Sequence, residues 1–148
     1  MSPVTRLFVV DASVCLKWAL DDEEAVSQAV ALRDEALRQH IQMVAPSLWL
    51  YEVINGMVSA VRRGRVAANV GAQALAHLLS LGIHLADPEA KKVYECALRY
   101  GIAAYDAAYL TLAEALETVL WTGDRRLYTK VRHATARVHW IGTYAPQG

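Results

Sequence analysis

The sequence predicts an α/β fold, a three-layer sandwich in which helices cover both faces of a parallel sheet. Three observations carry this reading. Short apolar runs alternate with longer amphipathic segments along the whole chain. The runs lack the polar alternation of a half-solvated strand, so they read as strands buried on both faces, the pattern of a parallel sheet between helices. No internal repeat, linker or low-complexity segment interrupts the 148 residues, a length that suits one domain (1–148) with a core of its own.

The elements follow in order. Residues 7–10 form the first strand. A helix runs from Asp21 to about Arg38, its acidic first turn suited to the positive end of the helix dipole. Residues 42–45 make a second strand closed by Pro46, and Ser47 then stands as N-cap of a helix reaching about Arg63 and stopped by Gly64. Another helix covers about 66–81 and ends at Gly82. Residues 83–86 read as a third strand, and Asp87-Pro88-Glu89 opens a helix with proline at its first position. That helix ends near Gly101. A helix over 104–116, a strand over 118–122, a short helix over 125–132 and a fifth strand over 138–141 complete the chain.

Composition narrows the setting. Hydrophobic residues make up 55% and charged ones 20%, a globular rather than a disordered balance. Cys15 and Cys96 are the only cysteines and fit no zinc spacing. With no disulfide framework, a reducing, cytoplasmic home is expected. The N-terminal apolar stretch is too short for a signal peptide, and no stretch approaches a transmembrane helix. Fifteen Lys+Arg balance fifteen Asp+Glu, so the whole molecule has no net attraction for polyanions. The charges are nonetheless sorted. Residues 1–35 hold seven acids, whereas after Asp124 only bases follow, and Arg62, Arg63 and Arg65 form a second basic knot. These bases are either solvated surface or a contact surface for a phosphate backbone, with Arg63, Arg125 and Arg126 the candidates.

Four acids stand in unusual places. Asp11 ends the buried first strand in "FVVDASV", where an unpaired carboxylate costs several kcal/mol. Asp124 follows the fourth strand in "VLWTGDRRL". Both therefore emerge at the carboxyl edge of the sheet, where ligands of such folds bind. Glu52 lies opposite the apolar stripe of its helix, above Asn55, Gly56 and Ser59, small or polar residues that leave room beside it. Asp106 sits in "GIAAYDAAYLTLAEAL", surrounded by Ala, Tyr and Leu. Taken singly, Glu52 reads as a solvated side chain and Asp106 as a helix-end acid; the set of four suggests more. Gathered carboxylates repel one another and need a cation, and oxygen-only ligation selects Mg²⁺ or Mn²⁺. Such an ion is equipped for phosphodiester hydrolysis.

The four stretches "FVVDASV", "LWLYEVING", "YDAAYLTLAEAL" and "LWTGDRR" resemble the PIN-domain ribonucleases, and within them the VapC-like toxins of toxin–antitoxin pairs. The match covers nearly the whole chain in the right order. It implies an α/β/α sandwich with a central parallel sheet of four or five strands. The acidic, metal-binding and catalytic set falls on Asp11, Glu52, Asp106 and Asp124. Ser13 and Thr122 match the supporting hydroxyls, and Asn55 the polar residue one turn after the glutamate. The resemblance also implies metal-dependent endonucleolytic cleavage of RNA, single-stranded or looped, with a homodimer and a small antitoxin that covers the site. Where some relatives carry a further acid after the last aspartate, this chain has Arg125, Arg126 and Leu127, which suggests a minimal four-acid site.

Other readings fare less well. A haloacid-dehalogenase-type phosphatase needs a second Asp where this chain has Ser13, and a receiver domain needs an acidic pair before its first helix that is missing. A different class is a PIN-like RNA-binding or scaffolding module without activity; the retention of all four acids argues against it. The five histidines are scattered and form no metal pair. The four tryptophans read as core or interface, with base stacking by Trp18 or Tyr105 as a further option. Apolar surface on "VSQAVALRDEAL" and "VGAQALAHLLSL" exceeds what one sheet face needs and suits a dimer or antitoxin interface.

Overall fold

The computed structural model describes residues 6–38 and 40–146. Its elements are β1 (Arg6–Val10), α1 (Ala12–Leu16), α2 (Val26–Leu37), β2 (Ile41–Ala45), α3 (Leu48–Arg62) and α4 (Ala68–Leu79). There follow β3 (His84–Leu85), α5 (Ala90–Tyr100), α6 (Ala104–Ala115), β4 (Leu120–Thr122), α7 (Arg125–Val131) and β5 (Val138–Trp140), with a 3₁₀ turn over Ile141–Thr143. The five strands form one parallel sheet in the order β3-β2-β1-β4-β5, within a three-layer α/β/α sandwich.

That order makes the crevice between β1 and β4 the point where the chain's progress across the sheet reverses. Ligand sites of open α/β sheets lie there, because the connections leave neighbouring strand ends in opposite directions and open a gap. β1 is central: Val9 pairs with Val44 on one side and with Leu120 on the other. Val9, Val10 and Leu120 are fully buried, and Val44 nearly so. Helix α6 lies across β1 and β4 and is buried along seven consecutive residues, Ala107 to Ala113. Its alanines let the backbone approach the sheet closely. Trp121 fills the layer beside them, edge-on to Phe8, His139 and Tyr144.

The structure departs from the expected elements at five places. The third strand, expected over 83–86 and buried on both faces, is the two-residue β3, and both of its residues are exposed because it forms the edge of the sheet. Helix α1 was not expected: the chain turns into it directly from β1, with Asp11 as its N-cap. Helix α2 begins at Val26 rather than Asp21, because Ala25 adopts a left-handed conformation (φ 60°) and the acids before it bind arginines instead of a helix end. Asp87 does not open α5, which begins at Ala90 without a side-chain cap. It reaches instead to Ser47, accepting from its backbone N–H (2.8 Å) and from its hydroxyl. Ser47 itself has helical backbone angles and caps nothing.

Helix α3 packs on α1. Trp49 Nε1 donates to the buried Cys15 sulfur at 3.2 Å, and Gly56 faces Leu16. The expectation that Gly56 leaves space beside Glu52 is therefore corrected: its missing side chain makes room for Leu16. A Cβ at Gly56 would lie 2.4 Å from Leu16 Cδ1 and 3.2 Å from its Cγ. Gly56→Ala should thus lower stability by about 1–2 kcal/mol in urea unfolding, because overpacking outweighs the better helix propensity of alanine. In a Leu16→Ala background the same change should stabilise by about 0.5–1 kcal/mol, a reversal of sign that a double-mutant cycle detects.

Candidate active site

Asp11 is the last residue held to the sheet, its N–H donating to Trp121 O at 3.2 Å. The residue is 7% exposed, and each of its carboxylate oxygens accepts at least one hydrogen bond. Oδ1 accepts from the Ser13 hydroxyl and, at 3.2 Å, from the Val14 N–H; Oδ2 accepts from the Thr122 hydroxyl. Both hydroxyls also accept. Gly123 N–H donates to Ser13 Oγ at 2.8 Å, and Asp124 N–H donates to Thr122 Oγ1 at 3.0 Å. Two hydroxyls thus connect the carboxylate of β1 to the backbone that carries Asp124.

Asp124 is also the N-cap of α7, its Oδ1 accepting from the N–H groups of Arg126 (2.9 Å) and Leu127 (3.2 Å). Between the two acids Gly123 permits close approach: a Cβ there would fall 2.6 Å from Lys17 Cε and 3.1 Å from Ser13 O. Lys17 is only 4% exposed, so a buried cationic side chain passes beneath the acid-bearing turn.

The helices supply the other pair. Glu52 on α3 is half-buried, and its Oε1 accepts from the Tyr109 phenol at 2.6 Å. Asp106, in the first turn of α6, is half-buried and has no hydrogen-bond partner among the described residues. It is not a cap, since the N-cap position is Ala103.

Electrostatics join the four into one group. Burial raises the Asp11 pKa from its ordinary 3.8 to about 6, against the lowering effect of its donors, and Asp124 raises it further. Burial also raises Glu52, with Asp11 and Asp106 adding to the effect, and raises Asp106, with Asp124 adding to it. The couplings run from Asp11 to Glu52, to Asp106, to Asp124 and back to Asp11, a closed ring of like charges. The described residues contain no group of three or more His, Cys, Asp or Glu already gathered at metal-binding distance. The all-oxygen donor set suits a hard cation that keeps several of its waters, rather than a closed protein cage.

The remaining sequence candidates are dispersed. Asn55 is exposed on α3 and makes no hydrogen bond to Glu52. Arg126 lines a cleft of about 340 Å³ together with Asp106, Asp124 and Lys130. Arg125 is held by Glu24 through two bonds (2.6 and 3.1 Å) and lies 4.4 Å over the Trp140 ring. Arg63 is exposed at the end of α3, and neighbouring Arg65 binds Asp22 and Glu23. Trp18 is tied by Nε1 to Ala29 O at 2.7 Å, which fixes it against α2. Sequence reasoning missed Tyr109, Gly123, Lys17, Lys130 and Glu24. Only Tyr109 had a signal, its place three residues after Asp106 in "YDAAY".

An acid whose pKa is higher folded than unfolded keeps a proton in the native state that the unfolded chain has released. Metal-free protein should therefore lose stability as pH rises from about 4 to about 6, on the order of 3 kcal/mol from Asp11, with Glu52 and Asp106 acting in the same direction. Above about pH 6 the penalty is constant. Asp11→Asn should flatten this slope in chelator-treated samples followed by thermal unfolding across the range. A slope unchanged by the substitution would mean that Asp11 is ionised throughout.

The family model described as the PIN domain matches residues 8–132. "Ribonuclease VapC3" of Pyrobaculum aerophilum is 32% identical over 126 residues, covering 82% of this chain and 92% of that protein. "Exonuclease VapC9" of the same organism is 31% identical over 115 residues, covering 78% and 86%. "Ribonuclease VapC9" of Mycobacterium tuberculosis is 33% identical over 123 residues, covering 82% and 88%. The crystal structure of PAE2754 from Pyrobaculum aerophilum superposes with a TM-score of 0.71 at 28% identity, covering 95% of this chain and 94% of that one. With its strand-end aspartates at the β1–β4 crevice, this chain belongs to the PIN-domain family and is a relative of the VapC ribonucleases.

Proposed function

We propose that the protein is a divalent-metal-dependent endoribonuclease, the toxin of a toxin–antitoxin pair, acting on single-stranded or looped RNA. The observation that carries the reading is the set of four carboxylates from β1, α3, α6 and the end of β4, with Asp11 tied to the Asp124 turn through Ser13 and Thr122 and each acid repelled by a neighbour in the set. Asp11, Glu52, Asp106 and Asp124 would hold the ion. When bound, Mg²⁺ or Mn²⁺ supplies an activated water, neutralises phosphate charge and stabilises the leaving oxygen. The protein's part is placement. Asp11 is immobilised by three donors, Glu52 is aimed by Tyr109, and Asp106 accepts no hydrogen bond from any of the described residues. Raised pKa values on three of the acids mean that a cation competes with protons for them, so metal uptake should strengthen as pH rises.

Arg126 and Lys130 line the cleft beside Asp106 and Asp124 and face a phosphate path along it. A site at strand ends reaches an unpaired backbone more readily than one inside a continuous duplex. For a protein partner, the groove between α3 and α4 offers about 270 Å³ lined by Ile54, Met57, Val58, Val61 and Leu75, suited to an antitoxin segment. Exposed Val70 and Leu79 on α4 add apolar surface for antitoxin or a second copy of the chain. No helix among the described residues is long and apolar enough to cross a membrane. Cys15 and Cys96 are free and buried, in keeping with a cytoplasmic protein.

Circular RNA is the direct test. Purified protein should linearise it with Mg²⁺ or Mn²⁺ and leave it intact in EDTA, since an enzyme that needs a free end cannot attack a circle. Mapped 5′ ends in total RNA then give the cutting positions. Asp124→Asn should abolish cleavage and most metal-induced rise in Tm. It should leave metal-free stability equal or higher, because asparagine still caps α7 while one charge leaves the ring. Cleavage that survives EDTA would exclude the metal.

The arginines make a separate prediction. Arg126→Ala should weaken binding to every RNA about equally and reduce the salt slope by about 1. Arg125→Ala should change it less, because Glu24 already neutralises that guanidinium. Glu24→Gln should release Arg125 and steepen the slope, as measured by titration of RNA binding against salt.

A further inference from the structure

Seven tyrosines occur in the chain, and three are exposed: Tyr51 (73%), Tyr94 (66%) and Tyr105 (68%). A single exposed aromatic side chain means little. The placement of two of them means more, because Tyr51 directly precedes Glu52 on α3 and Tyr105 directly precedes Asp106 on α6. The bond from Tyr109 to Glu52 locks these two helices together at the site. Tyr105 lies one helical turn before Tyr109, on the same side of α6 as the group that touches Glu52. Neither exposed phenol makes a hydrogen bond within the described residues, and most of each residue is open to a ligand. The third, Tyr94, sits on α5, which supplies no site acid.

We propose that Tyr51 and Tyr105 stack on unpaired bases on either side of the bound phosphate, so that the site selects unpaired nucleotides. The inference rests on the nuclease reading of the same site and names what that reading leaves open, the determinant of preference for unpaired RNA. Every base presents a π-face, so stacking tolerates sequence, while a base held in a continuous duplex cannot present one to a side chain. The acids and arginines then handle the backbone, and the two rings handle the bases.

Binding is measured by anisotropy in the Asp124→Asn background, with a short labelled single-stranded oligoribonucleotide and the same strand in perfect duplex. Tyr51→Ala and Tyr105→Ala should each weaken single-strand binding by about 5- to 100-fold without changing its salt slope. Tyr51→Phe and Tyr105→Phe should stay within about twofold of the parent, since a phenyl ring also stacks. Tyr94→Ala should bind as the parent does. Alanine variants that bind normally overturn the proposal, as do phenylalanine variants that lose as much as alanine, or a loss shared equally by the duplex. Cleavage of circular RNA separates the two readings. If Tyr51→Ala and Tyr105→Ala cleave with unchanged KM, stacking is wrong and the nuclease stands; if the protein neither binds nor cuts RNA, both fall.

Discussion

The carboxylate of Asp11 is the constraint around which the molecule is arranged. It sits at the end of the central strand, nearly out of contact with water, and each of its oxygens accepts a side-chain hydroxyl. Those hydroxyls are bound in turn to the backbone after β4, so one buried acid stitches together the two strands between which the crevice opens. A buried carboxylate without such donors costs several kcal/mol. Even with them its pKa stays raised, so desolvation outweighs the donors. The protein retains an unfavourable group at its centre because the surrounding bonds fix its position.

Other features follow from that fixed point. Gly123 has no side chain because Ser13 and the stem of Lys17 pass too close for one. Asp124 is held by its own N–H to Thr122 and by its role as cap of α7, so the two strand-end acids are rigid relative to each other. The helix-borne acids are held differently. Among the described residues Glu52 has one anchor, the phenol of Tyr109, and Asp106 has none. The ring of carboxylates therefore combines a stiff half, made by the sheet, with a half whose side chains can adjust. That division suits a cation that keeps part of its water shell, whose ligand distances change as a phosphate arrives.

The distribution of charge has a related logic. The acidic turn before α2 draws in Arg65 from the middle of the chain and Arg125 from its last third, through surface pairs that are individually weak. Together they fix a segment that lacks helical structure of its own and screen one arginine beside Asp124. Arg126 and Lys130, one turn apart along α7, remain along the cleft. A chain with no net charge thus presents cationic groups next to an anionic site, an arrangement that sequence totals conceal.

Local sequence determined the fold class. Short apolar runs alternating with longer helical segments leave little alternative to a parallel sheet between helices, even though the expected caps at Asp21, Ser47 and Asp87 did not form and the edge strand β3 is exposed. Sequence also singled out Asp11, whose place at the end of a buried strand conflicts with its charge, whereas Glu52, Asp106 and Asp124 stood out as members of a set of four rather than one by one. Tertiary structure decided what depends on distant partners. Asp22, Glu23 and Glu24 looked like a helix start, yet arginines 101 residues away and nearer took them. Asp87 looked like another start, yet Ser47 took it across 40 residues. Gly56 looked like space for Glu52, yet it receives Leu16. Tyr109 acquired a role only when α6 met α3. The acids had a local role open to them and a distant one, while Gly56 and Tyr109 acquired theirs from helices brought against them. The packed chain settled these roles through contacts that no short stretch of sequence contains.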